Sequence, residues 1–170
     1  VLVVKADAYR AIDDQTFAIN PDSALDYQRL LTTIATRYAG IHGIVHLWSL
    51  DESMPETAED LMHIAHQGCG SILHLVQALL QAQMRSAGLW LVTENAQVVN
   101  GNELGEGFAQ STLWGVGRVI ELEHPELKAI RIDLDRAMNR QTQAALLQAE
   151  LTAPAVDEPL ETQVALRQLD

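Results

Sequence analysis

Gly115 and Gly117, within the segment STLWGVGRVIELEHPEL at residues 111–127, come nearest in spacing to a phosphate-cradling turn. A dinucleotide-binding turn needs three glycines after a strand, so that the backbone can approach a pyrophosphate lying on the N-terminus of the following helix. The third position is Ile120, and no hydrophobic strand immediately precedes the pair. The segment is therefore read as packing. Gly115 and Gly117 permit close backbone approach, Trp114 supplies a large area to bury, and Arg118 can pair with a carboxylate. These four are the candidate structurally critical residues, and no cofactor-binding residue is assigned.

The other constellations fail on spacing. A tyrosine acting as general acid in carbonyl reduction wants a lysine one helical turn later, and four residues after Tyr9, Tyr27 and Tyr38 stand Asp13, Leu31 and His42. The lysines are Lys5 and Lys128. His63, His66 and Cys69 are zinc-type ligands, but at about 100° per residue on a helix they diverge rather than converge on one ion. His74, in the apolar run SILHLVQALL, reads as a hydrogen-bonded packing residue. No serine has the Gly-x-Ser-x-Gly elbow, Gly70-Ser71 being the nearest approach. His46 and Asp51, in HLWSLD, follow a strand, where open sheets place ligand-binding residues, but loop anchoring explains them as well. The polar loop Asn95 to Gly107 carries Glu103 and Glu106, which would repel a phosphate. No catalytic and no metal-binding residue is assigned.

With 170 residues, 48% of them hydrophobic, the chain fits one domain with one core. Its apolar runs fall far short of the ~20 residues a membrane-spanning helix needs. No secretory signal opens it, and the single cysteine, Cys69, fits a reducing compartment, so a cytoplasmic location is expected. The net charge of -12 repels phosphate backbones and anionic lipid, which argues against nucleic-acid or membrane partners.

The elements that must position these residues alternate. Val1 to Val4, Gly43 to Trp48, Leu89 to Val92 and Ala129 to Leu134 are short apolar blocks of strand type. Helical period runs through Leu25 to Tyr38 after the capping pair Asp22/Ser23, with Leu25, Leu30, Leu31 and Ile34 facing one way. A longer helix over Ala58 to Met84 carries Gly68-Cys69-Gly70 at its centre, implying close approach to a neighbour or a bend. Further helices are expected over Gln110 to Glu123 and Asn139 to Leu151, with a closing or edge strand in Glu161 to Gln168. The alternation predicts a mostly parallel sheet with helices on both faces.

In this order, the segments IVHLWSLD (44–51), SILHLVQALLQA (71–82), LWLVTENAQVV (89–99), QSTLWGVGRVIELEHPEL (110–127), IRIDLD (130–135) and VALR (164–167) resemble the structural, N-terminal subdomain of the ketoreductase of modular type I polyketide synthases. That resemblance implies an α/β, truncated Rossmann-like three-layer fold of short-chain-reductase type, lacking its first strand and helix. It also implies no cofactor in this segment, NADPH being held by a catalytic subdomain elsewhere in the same polypeptide. The implied partners are that subdomain, the neighbouring synthase domains and the acyl carrier protein of the module. None of the family's catalytic residues maps onto these positions, so the segment is expected to be inactive alone. A free-standing Rossmann-like nucleotide-binding enzyme, using His46, Trp48 and Glu94, is the alternative, as is a spacer beside an inactive ketoreductase.

Overall fold

Among the described residues, side-chain caps start three of the four α-helices. Ser23 accepts from the Asp26 amide ahead of α1 (Ala24–Arg37). Thr57 and Asp60 form a reciprocal capping box ahead of α2 (Ala58–Gln81). Asn139 accepts from the Thr142 amide ahead of α4 (Arg140–Thr152). Each satisfies amides that the first helical turn leaves without partners. The fourth helix, α3 (Ser111–Glu123), has no side-chain cap and is entered through a 3-10 turn at Phe108–Gln110. The computed structural model describes residues 1–51, 54–84, 88–99, 107–153 and 161–168.

The strands fall into two sheets rather than the single one expected. Strands β4 (Ile44–His46), β5 (Leu89–Glu94), β6 (Ala129–Leu134) and β7 (Gln163–Leu166) lie side by side in that order, all parallel. A second sheet pairs β1 (Leu2–Lys5) parallel to β3 (Thr16–Ile19), and β3 antiparallel to β2 (Arg10–Ala11). The turn between β2 and β3 is held by Asp13, whose carboxylate accepts from the Gln15 and Thr16 amides, both at 2.7 Å.

Helices α1, α2 and α3 cover one face of the larger sheet, where Leu30, Leu31, Ile72, Leu75, Leu79, Leu113 and Ile120 pack on Leu89 and Leu91. Phe17 and Ile19 of β3 join the same core, tying the small sheet to it through α1. Helix α4 covers the opposite face, Leu147 packing on Val92, Ile132 and Leu134. The result is the expected layering of helices on both sides of a parallel sheet. Leu25 departs from the expected apolar face of α1: it is exposed, and Asp26 and Tyr27 are buried instead.

Gly117 and Gly115 play opposite roles. A Cβ on Gly117 would sit 2.9 Å from Leu91 Cδ1 and 3.0 Å from the Arg131 side chain, so this turn of α3 touches the sheet only because the residue is glycine. Gly115, expected to permit a similar approach, faces outward with nothing within 4 Å of that position. Gly68 and Gly70, both half-buried, also have nothing within 4 Å of a Cβ, so their expected close neighbour is absent, and α2 runs unbroken through them. Gly117→Val therefore destabilises the fold by about 1–3 kcal/mol through overpacking. Gly115→Ala stabilises it by about 0.5–1 kcal/mol, since alanine is the better helix former in open space. Urea-unfolding midpoints of the two variants should move in opposite directions, and equal shifts would refute this assignment.

Candidate functional site

The carboxyl ends of β4 and β5 are where an open parallel sheet presents ligand-binding groups. His46 ends β4, and helix α2 lays Ser71 over it with His46 Nε2 and Ser71 Oγ 3.0 Å apart. The Ser71 hydroxyl donates to the Gly68 carbonyl at 3.0 Å, as a serine in a helix often does, so His46 Nε2–H is the donor of the pair. His46 Nδ1 is buried without a partner. Burial, assisted by the positive charge of Lys5, lowers the imidazole pKa to about 4, so the ring is neutral at pH 7. A nucleophile-base pair would need the proton arranged the other way, a third group on Nδ1 and a basic imidazole. Sequence spacing gave no sign of this contact, because 25 residues separate its partners. Asp51 is not brought to His46; it pairs with Lys5 at 3.5 Å.

Beside this pair lies a cavity of about 20 Å3, lined by Lys5, Trp48, Ser49, Gln67, Ser71 and Leu113 among others. That is room for one or two waters. Trp48 turns its edge toward His46 with centroids 5.6 Å apart, and Lys5 donates to the Trp48 carbonyl at 3.2 Å, closing the space between the ends of β1 and β4. The glycine pair lies inside α3 rather than in a turn after a strand.

At the ends of β5 and β6 the polar groups serve one another. The Asp133 carboxylate, fully buried, accepts from Thr93 Oγ1 at 2.6 Å, from the Ala96 and Gln97 amides at 2.9 and 3.1 Å, and from Arg167 at 2.6 Å. Trp114, half-buried, donates its indole N–H to Thr93 Oγ1 at 2.9 Å, so α3 is tied to the same carboxylate. Glu94 is held by Arg140 at 2.8 Å and by the Gln143 amide at 2.7 Å, with Arg136 at 3.8 Å. Arg131, buried inside the sheet, runs its stem under Gly117 to reach Glu121 and Thr162. Partial burial would raise the Glu121 pKa, but hydrogen bonds from Thr162 and Arg131 and the charges of Arg131 and Arg118 lower it on balance.

The four residues singled out in the sequence therefore divide. Trp114 and Gly117 touch this internal framework, whereas Gly115 and Arg118 face outward. Arg118 holds no ion pair among the described residues and acts on Glu121 only at longer range. His63, His66 and Cys69 spread along α2, and no metal-holding group of three ligands occurs among the described residues. His74 lies against Tyr27, ring centroids 5.9 Å apart, with its Nδ1 buried and unpartnered rather than hydrogen-bonded as expected. Glu103 and Glu106 lie outside the described residues. Trp48 and Glu94, the remaining members of the alternative nucleotide site, are engaged as above. No helix among the described residues is long and apolar enough to cross a membrane.

Comparison with known proteins gives concordant matches. A family model described as beta-ketoacyl synthase-like, N-terminal, matches residues 1–150. The polyketide synthase GfsA of Streptomyces halstedii is 36% identical over 109 residues, which is 64% of this chain and 1% of that protein. A C2-type ketoreductase from a modular polyketide synthase is 28% identical with a TM-score of 0.69, over 91% of this chain and 32% of the ketoreductase chain. A multidomain structure of a keto acid-selecting NRPS module, containing adenylation, ketoreductase and pseudo Asub parts, shares the fold with a TM-score of 0.82 at 22% identity. It is matched over 98% of this chain and 14% of that one.

Two measurements check the polar framework. Asp133→Asn removes the buried negative charge that Arg167, Thr93 and two backbone amides all serve, and lowers stability by about 3–5 kcal/mol; a loss below ~1 kcal/mol would show the charge to be dispensable. His46 makes stability pH-dependent. Its pKa is depressed from 6.5 unfolded to about 4 folded, so its contribution is complete above pH 6.5 and is lost as pH falls toward 4. That amounts to about 2 kcal/mol by pH 5. His46→Gln should flatten the fall in unfolding free energy between pH 7 and 5 by that amount; an unchanged slope would refute the assignment.

Proposed function

We propose, for a chain that belongs to the beta-ketoacyl synthase-like N-terminal family and whose sequence and fold match the ketoreductases of modular polyketide synthases, the role of a non-catalytic structural subdomain. It stabilises the NADPH-dependent β-ketoacyl reductase half of the same polypeptide. The reading rests above all on one observation: the matched ketoreductase aligns over 91% of this chain but only 32% of its own, so this chain corresponds to about a third of such a unit. The internal use of every strand-end polar group described above supports the same division of labour.

In this reading the chain's work is mechanical. A rigid parallel sheet, pinned at its carboxyl ends by Asp133 and Glu94, presents a fixed outer surface on which the other half folds. Binding that favours the folded over the unfolded partner stabilises it by linkage. Reduced nicotinamide, when bound in the catalytic half, supplies the hydride that converts a β-ketoacyl chain carried on an acyl carrier protein to its alcohol. No residue of this chain is assigned a part in that transfer.

Calorimetric titration of this chain with NADPH or NADH should give no measurable heat, while the full polypeptide binds NADPH and reduces a β-ketoacyl thioester. In that polypeptide Gly117→Val should lower the temperature at which reductase activity is lost, leaving the KM for NADPH unchanged at lower temperature. Tight nicotinamide binding by this chain alone, or ketone reduction by it, would overturn the reading.

A further inference from the structure

Helix α1 is fastened to its own small sheet. The Asp26 carboxylate accepts from the Asn20 amide just beyond β3 at 3.0 Å, Tyr9 and Thr33 share a hydrogen bond at 2.8 Å, and Tyr38 donates to the Asp14 carbonyl at 2.7 Å. Arg37 adds its guanidinium over the Phe17 ring, 5.4 Å from the centroid. Among the described residues, no strand pairing joins this part, residues 1–38, to the four-stranded sheet. The two parts are held together by apolar packing, Leu30, Leu31 and Ile34 of α1 sharing one core with Ile72, Leu75 and Leu79 of α2. Side-chain bonds border that contact: Gln28 to Gln81 at 2.9 Å, and Lys5 to the Trp48 carbonyl at 3.2 Å.

The same join collects the polar atoms that the fold leaves unserved. Among the described residues, the buried side-chain atoms without a hydrogen-bond partner are Tyr27 Oη, His74 Nδ1 and His46 Nδ1. Tyr27 of α1 lies against His74 of α2, so two of the three belong to one contact across the join. The third is on His46, which ends β4 close enough to Lys5 of β1 to feel its charge. Away from the join, buried Asp26, Glu94, Arg131 and Asp133 are all paired. An unserved atom loses water when the join closes and regains it when the join opens, which favours opening.

We propose that residues 1–38 unfold from the rest of the chain as one cooperative unit, while the four-stranded sheet and its helices stay folded. The proposal stands independently of the function proposed above. Parting the join breaks apolar contacts and bonds at their margin, whereas parting β5 from β6 breaks a backbone ladder and the Asp133 framework with it. Once detached, a segment of fewer than about 40 residues buries too little surface to stay folded by itself. Its internal bonds make α1 and β3 come apart together rather than one at a time. The Tyr27 hydroxyl eases the opening. Opening uncovers the stripe of α2 that carries Ile72, Leu75 and Leu79, so part of the core is reached without unfolding the whole chain.

The test is native-state amide hydrogen exchange of the 170-residue chain, read on β3 and α1 of the first part and on β5 and β6 of the second. The amides of Phe17–Ile19 and Leu30–Ile34 should share one opening constant, at least about tenfold larger than that of Leu89–Val92 and Ile130–Ile132. Tyr27→Phe removes the unserved hydroxyl and should lower the opening constant of β3 and α1 together, by about fivefold or more. Gly115→Ala, in open space on α3, stabilises only the second part. It should slow exchange in β5 and β6 about two- to fivefold and leave β3 and α1 unchanged. Equal opening constants in all four segments, or Gly115→Ala slowing all four alike, would show a single cooperative body and overturn the proposal. So would α1 and β3 responding differently to Tyr27→Phe, or both exchanging faster in that variant, since the hydroxyl would then be bonded in the closed state.

Discussion

The structure depends on one buried carboxylate. Asp133 sits inside a parallel sheet with no access to water, where an ionised group is tolerated only if every lone pair finds a donor. It finds four donors, on β5, on the loop leaving β5 and just beyond β7. Satisfying it fixes the register of three neighbouring strands at their carboxyl ends and the path of the chain after Glu94. Trp114 extends the constraint to α3 through Thr93, so the sheet and one of its covering helices share a single electrostatic anchor.

That anchor is part of a wider pattern in which the described polar groups at the carboxyl ends of these strands pair with one another. In an open parallel sheet, polar groups at this edge are left unpaired for a bound molecule to complete. Here Glu94 is already met by Arg140 and Gln143, and Ser49 donates its hydroxyl to the Val92 carbonyl. Gly107 brings its backbone so close to the Glu94 carbonyl that a Cβ there would lie 2.0 Å away, which closes the edge from the loop side. His46 and Ser71 show the same economy: a pair of residue types that elsewhere performs nucleophilic chemistry is folded under α2 and oriented for packing.

Much of the fold was legible in the sequence because its period and caps are local. Ser23, of the capping pair read in the sequence, stands where α1 begins, and the apolar blocks at Leu89 and Ala129 became the two central strands. Strand β3 was missed because Thr16–Ile19 (TFAI), between turn-forming Asp13 and Pro21, has only two large apolar residues, Phe17 and Ile19, where the recognised blocks have an unbroken apolar run. The polar framework was missed for another reason. Thr93, Glu94, Arg131, Asp133 and Arg167 lie within the quoted segments LWLVTENAQVV, IRIDLD and VALR, but their partners are set by strand order, which spacing along the chain does not reveal. A charged residue inside an otherwise apolar strand, as in IRIDL, was the one available signal.

The distribution of polarity then points outward. A chain that buries Arg131 and Asp133 in its sheet while leaving Met62, Val119 and Leu122 at its surface has inverted part of the usual arrangement of a free domain. The buried charges are compensated internally and need no partner. The exposed apolar side chains are not compensated by anything among the described residues, and hydration of that area lowers the stability of the chain by itself relative to any state in which it is covered. The interior of the chain is thus held by internal ion pairs, while covering its exposed apolar side chains would add to its stability.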